Sequence, residues 1–223
     1  MQSSIFHGIK LVFQKELLVG MRFKAAWSTI FMFALTTLSC ISLALQGAAL
    51  EPKLQAVLFW IVLFFSSMTG MDRCFADEEM SGTFLTLKLY GKAQAVLFGK
   101  MLYTFFLLLL LALFVSLLFF ILLDVGSASI PEFLTVALAG ILGLSGAGTF
   151  IAALTTGASV KSGLFSVLML PVILPVFLPA IFLTGSVFGG DSIQLSHLGG
   201  MLLYDLLLMV GASVLFDYFW YEE

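Results

Sequence analysis

MLYTFFLLLLLALFVSLLFFILL, residues 101–123, carries no charged side chain. At about 1.5 Å of rise per residue it makes a helix of roughly 34 Å, enough to cross a hydrocarbon core of about 30 Å. In lipid the backbone must satisfy its own amides and carbonyls, and a helix does so within one segment. Five further stretches read the same way: Ala25–Leu50, Leu54–Met71, Phe133–Leu154, Leu164–Val187 and Leu198–Phe216. The 223 residues are 61% hydrophobic and 10% charged, where a soluble domain carries about 25% charged residues. The fold class is therefore an all-α membrane protein with six transmembrane helices. Residues 1–24 precede the bundle and 25–223 form it. The connections are too short for a separate soluble domain, so a single transmembrane domain is expected.

The positive charges set the orientation. The N-terminal segment holds Lys10, Lys15, Arg22 and Lys24; the second connection holds Arg73, Lys88, Lys92 and Lys100; the fourth holds Lys161. Only Lys53 falls on the other side, in the short Glu51-Pro52-Lys53 hairpin. Lys and Arg concentrate on the cytoplasmic side of a membrane, so both termini are expected in the cytoplasm. The first apolar run is longer than the h-region of about 7–15 residues in a signal peptide, and no cleavable signal is expected. Cys40 lies in span one and Cys74 in a cytoplasmic connection, so they do not pair.

Several chemistries have no residues to run on. There is no GxxxxGK[ST] phosphate loop, hence no ATP site of this chain's own. The two histidines, His7 and His197, fall on opposite sides of the membrane, and no metal-ligand cluster or nucleophilic triad can be drawn. The chain is not expected to be an enzyme, to bind a metal or cofactor, or to engage nucleic acid. Its first partner is the lipid bilayer.

Five local patterns stand out. Residues Ser3–Val19 read as an amphipathic helix, with Ile5, Ile9, Val12 and Phe13 on one face and His7, Lys10 and Gln14 on the other. Glu16 interrupts the apolar face. A basic amphipathic segment ahead of a span lies in the headgroup layer. The second connection, Asp72 to Lys100, places Asp77, Glu78 and Glu79 ahead of Gly82, Thr83, Phe84, Leu85, Leu87 and Leu89. Acids suit a helix N-terminus, and apolar side chains on a charged loop need something to cover them. Asp77, Glu78, Glu79, Gly82, Thr83, Phe84 and Leu85 are therefore candidates for docking a cytoplasmic subunit.

The third pattern is Pro171, Pro175 and Pro179 in span five, four residues apart and hence on one face. Each removes an amide donor and crowds the carbonyl four residues back, here Val167, Pro171 and Pro175. This predicts a kinked helix whose proline face turns into the bundle. Span four, by contrast, carries Ala139, Gly143 and Ala147, with Gly140, Gly146 and Gly148 beside them, a surface that lets backbones approach closely. Last, Asp205 and Asp217 lie about 18 Å apart along span six, so one of them sits in or near the hydrocarbon. Asp217 precedes Tyr218, Phe219, Trp220 and Tyr221, an aromatic belt expected at the interface. Asp205 is thus the candidate intramembrane acid, a residue type that marks functional sites in membrane proteins.

Six spans, both ends inside, an interfacial N-terminal helix and an acidic-then-apolar segment after span two resemble the type-2 ABC transporter permeases. In that family the segment forms a cytoplasmic coupling helix that docks on the ATPase. Glu79-Met80-Ser81-Gly82-Thr83 resembles its acidic-x-x-Gly-Ser/Thr element. A closer resemblance, over most of the chain, is to the haem exporter protein B (CcmB) family of cytochrome c maturation. It is carried by Asp72-Arg73-Cys74-Phe75-Ala76-Asp77-Glu78 leading into Gly82-Thr83, by Ala153-Leu154-Thr155-Thr156-Gly157, and most specifically by Leu168-Met169-Leu170-Pro171-Val172-Ile173-Leu174-Pro175. Leu85-Thr86-Leu87 stands where that family has a more polar segment.

The resemblance implies a multi-pass permease of the bacterial inner membrane, working with a cytoplasmic ABC ATPase subunit and other membrane proteins of cytochrome c maturation. Haem would be the ligand that the assembly moves or hands on, not a cofactor of this chain. Six spans are half the usual complement of such a transporter, so a homodimer or a second six-span subunit is expected. The rival readings are an ABC permease for a lipid, polysaccharide or drug, and a scaffold that only assembles its partners.

Overall fold

The computed structural model describes residues 5–123, 125–126, 128–156 and 163–222. Ser3, Gly157, Lys161 and Glu223 of the sequence reading lie outside the described residues. The described chain is helical, in the order α1 (Ile5–Arg22), α2 (Lys24–Leu45), α3 (Pro52–Met80), α4 (Phe84–Tyr90), α5 (Ala93–Leu122), α6 (Ile130–Thr155), α7 (Leu164–Phe188) and α8 (Leu195–Glu222). Six of these, α2, α3, α5, α6, α7 and α8, are long and apolar enough to cross a membrane.

α6 is the most buried of the six, and its glycines explain why. A Cβ at Gly140 would collide with the Trp60 indole on α3, and one at Gly148 with Met71. At Gly143 it would meet Asp205 on α8 and Val176 on α7, and at Gly146 it would crowd Leu208. Small side chains therefore let three neighbours close on one helix, where association rests on packing contacts because lipid removes the hydrophobic drive between spans. α6 packs on α7, α8, α5 and α3, while α2 lies at the edge against α3 and α5. An aromatic group ties the layers together: Phe59 meets Trp60, Phe119 and Phe133 edge-on at 5.6, 5.7 and 5.3 Å. Edge-to-face pairing is the favoured geometry for such rings.

The structure corrects two readings of the sequence. First, Asp72–Lys100 is not a loop between short spans. α3 continues nine residues past Met71, and α5 already begins at Ala93. Asp77, Glu78 and Glu79 therefore occupy the last turn of α3, not the first turn of a following helix. Second, the proline face of α7 turns outward. Pro171 and Pro175 are exposed and Pro179 half-buried. The inner face belongs instead to Phe165, Met169, Ile173, Val176, Ala180 and Leu183, which fill the space against α3 and α6 at spacings of three and four. The prolines lie about half a turn from that line, and spacing alone shows that they share a face but not which way it looks. All three stand inside one continuous helix.

α1 runs along α5. The approach is close because Gly99 leaves room for Val12, whose Cβ would lie 2.6 Å from a Cβ placed there. Phe13 adds an edge contact with Phe106 at 6.2 Å. Phe6, Leu11 and Leu18 stay exposed on the other side, an apolar surface suited to a headgroup layer.

Candidate functional site

The turn that ends α3 is built from backbone chemistry. The Ser81 amide donates to the Asp77 carbonyl at 3.0 Å, that of Gly82 to Glu79 at 3.1 Å, and that of Thr83 to Glu78 at 2.9 Å. Gly82 sits at φ +69, a left-handed conformation that glycine adopts without a Cβ clash. These bonds satisfy carbonyls that a helix end leaves open and turn the chain directly into α4. Gly91 closes α4 where a Cβ would come within 2.8 Å of both the Leu87 carbonyl and Val96.

α4 is held down from below by α8. Trp220 donates its indole N–H to the Gly91 carbonyl at 3.3 Å and meets Phe84 edge-on at 5.9 Å. The Lys88 ammonium lies 5.5 Å from the Phe84 ring centre and 6.0 Å from that of Trp220, within the range of a cation–π attraction. Trp220 is 5% exposed, so this member of the expected interfacial belt is instead an inward anchor. Met80, Leu85 and Leu89 remain 78%, 71% and 81% exposed. Leu85 and Leu89 are one helical turn apart and so share a face.

Beneath the turn is a group of four charges, buried at Lys100 and Glu78 and partly exposed at Glu16 and Lys15. Lys100 on α5 is fully buried, with its Nζ 2.7 Å from both carboxylate oxygens of Glu78 on α3 and 2.7 Å from Glu16 on α1. The same ammonium donates to the Cys74 carbonyl at 2.5 Å and lies 4.7 Å from the Phe75 ring centre. Lys15 completes the set, 3.0 Å from Glu16 and hydrogen-bonded to Glu78. Two lysines face two glutamates, so the formal charge cancels. Such a group persists away from water only when each charge is paired and hydrogen-bonded. It joins α1, α3 and α5 at one point.

Three of these four residues had no functional reading in the sequence. Lys15 and Lys100 counted as topology charges and Glu16 as a break in an apolar face. One signal was present: Gly8, Val12 and Glu16 repeat every four residues, so they lie on one line, and that line is the one facing α5. Glu78 was read as part of a docking surface. It is 6% exposed and engaged with both lysines. Asp77 and Thr83 are exposed around it, and Glu79 is half-buried.

Burial pushes the Glu16 carboxyl up, but the ammonium groups of Lys100 and Lys15 outweigh this and hold it below its ordinary value of 4.5. A depressed carboxylate contributes stability fully above its ordinary value, and that contribution is lost as pH falls through the lowered one. The contribution of Glu16 to the thermal midpoint of the detergent-solubilised protein should therefore be lost on acidification through the carboxylate range. Glu16→Gln should lower the midpoint at neutral pH and flatten the acid-dependent part. An unchanged acid slope in that variant would show that Glu16 makes no such contribution.

The other candidates lie elsewhere. The prolines are on the outer side of α7, and the Tyr204 hydroxyl of α8 donates to the Val172 carbonyl at 2.7 Å. Asp205 is 1% exposed in the middle of α8, packed against α6 and α7, far along the chain from the α3–α4 turn. Among the described residues, neither of its carboxylate oxygens has a hydrogen-bond partner.

A family model described as "CcmB protein" matches residues 8–215. The match runs from α1 into α8 and so includes the buried charge group, the α3–α4 turn and the proline helix. No curated protein sequence matches the chain.

Proposed function

The chain belongs to the CcmB family, membrane components of the haem exporter of cytochrome c maturation, and from that premise we propose that it is the permease subunit of an ABC-type complex. In this reading both termini and the α3–α4 turn face the cytoplasm of a bacterial inner membrane, as the distribution of Lys and Arg favours. A separate ATPase subunit docks on the turn. Other maturation proteins of the membrane, and a second copy or a second six-span subunit, complete the assembly. Haem is its substrate.

The observation that carries the proposal is the construction of the turn. Exposed Leu85 and Leu89 stand on a short helix that Trp220 fixes to α8, next to a turn that Glu78 fixes to α1 and α5. Exposed apolar side chains on a well-anchored element mark an interaction surface. A push on α4 would reach three spans and the interfacial helix through rigid contacts. Pro171, Pro175 and Pro179, which interrupt the amide ladder of α7, make α7 the span that bends in response.

The test is recovery of the tagged protein from native membranes in mild detergent, with the ATPase subunit followed by immunoblot. Leu85→Glu together with Leu89→Glu should reduce ATPase recovery at least tenfold while the permease still inserts and melts as before. Phe84 is the poorer target, because its ring also packs on Trp220. Full ATPase recovery with the double variant would remove the docking role from α4. An inactive ATPase that still assembles but abolishes cytochrome c maturation would argue for transport over a scaffold.

A further inference from the structure

We propose that Asp205 is an intramembrane proton-binding site, a carboxyl that carries its proton while α6, α7 and α8 are closed around it. Asp205 stands ten residues into α8, about 15 Å from the start of that helix. That position, seven residues past the start of the apolar run at Leu198, lies within a hydrocarbon core of about 30 Å. It is 1% exposed. Gly143 of α6 and Val176 of α7 bound it, and the absence of a side chain at Gly143 makes the space for the carboxyl. Among the described residues neither carboxylate oxygen meets a hydrogen-bond donor.

No opposite charge is within reach among the described residues. α7 holds no charged residue at all, and α6 holds only Glu132, in its first turn. α5 also packs on α8, but its Lys100 is taken by Glu16 and Glu78, and its Tyr103 accepts a bond from Trp27. On α8 itself, Tyr204 gives its hydroxyl to the Val172 carbonyl. His197, about two turns away, lies against the Phe182 ring at 4.9 Å. Asp217, about three turns away in the other direction, is itself an acid.

An ionised carboxylate needs water, a cation or several donors, and an apolar surround without them strongly disfavours the charge. A metal ion would require further oxygen ligands around the same point, and among the described residues no group of three or more His, Cys, Asp or Glu gathers to supply them. The proton is the one cation that a lone carboxyl holds by itself. Releasing it requires water or a cation to enter between α6, α7 and α8, so the protonation of Asp205 is tied to the separation of these three helices. The inference does not depend on haem or on an ATPase.

Infrared spectroscopy of the full chain in lipid tests this directly. At neutral pH the unmutated protein should show the carbonyl stretch of a protonated carboxylic acid. That band should move when heavy-isotope aspartate is incorporated, vanish in Asp205→Asn, and persist in Asp72→Asn. An unmutated protein with no isotope-sensitive acid band overturns the proposal, whether or not the variant folds. So does a band that survives Asp205→Asn and disappears in Asp72→Asn.

Discussion

Replacing Lys100 with methionine is expected to destabilise the protein by about 3–5 kcal/mol, the range for removing one partner of a buried ion pair. The loss comes less from missing attraction than from what remains. Glu78 and Glu16 would face each other across the space that the ammonium filled. Lys15, on the more exposed side of the group, would be left to balance both. The Cys74 carbonyl would lose its donor as well. Combining Lys100→Met with Glu78→Leu should recover most of the loss, because apolar side chains of similar volume replace a buried pair at little net cost and Glu16 keeps Lys15. Unfolding midpoints of the two variants in detergent decide the matter. If the single variant melts like the unmutated protein, the group is not a clamp. If the double variant is worse than the single one, the loss lies in shape and not in charge.

Trp60→Ala should have the next largest effect, about 3 kcal/mol, at the lower end of the range for emptying an aromatic site. The lower end is appropriate because membrane-buried and lipid-facing surfaces are equally apolar, so the change forfeits contacts more than transfer energy. Those contacts are many. Trp60 is 1% exposed, fills the hollow over Gly140, meets Phe177 at 6.0 Å, and donates its N–H to the Thr184 hydroxyl at 2.9 Å. Trp60→Phe, which keeps much of the ring and removes the donor, should lose about 1 kcal/mol, the ordinary net value of a hydrogen bond. Denaturant titration of both variants in the same detergent gives the comparison. Equal losses would mean that the Thr184 bond, not the filled volume, holds α3 to α7.

Much of this architecture is legible in the sequence because hydrocarbon thickness fixes a length that composition reveals. The six apolar runs each become a helix, and the small residues of α6 become its packing surface. The ends of α3 and α5 were not legible. Hydropathy registers where lipid stops, and Asp72, Arg73 and Asp77 mark that boundary while the amide ladder continues through them to Met80. The turn at Gly82 was not legible either: the acids before it suit the start of a following helix, yet they end α3, because acids near a break look alike from either side. The bond from Lys100 to Glu16 spans 84 positions, and no local period encodes such a pairing. Asp205 could be singled out because the distance to Asp217 is shorter than a membrane. That its oxygens have no partner is a fact of three helices together.

Trp220 belongs to α8, whereas the Gly91 carbonyl that it holds lies between α4 and α5. During synthesis the ribosome therefore delivers the outward leucines of α4 well before the residue that immobilises them. Until α8 has been threaded into the bilayer, α4 lacks the fastening that Trp220 supplies. On the docking role proposed for α4, assembly would thereby be ordered in time: a chain that stalls before its last helix would not recruit a subunit that then hydrolyses nucleotide to no effect.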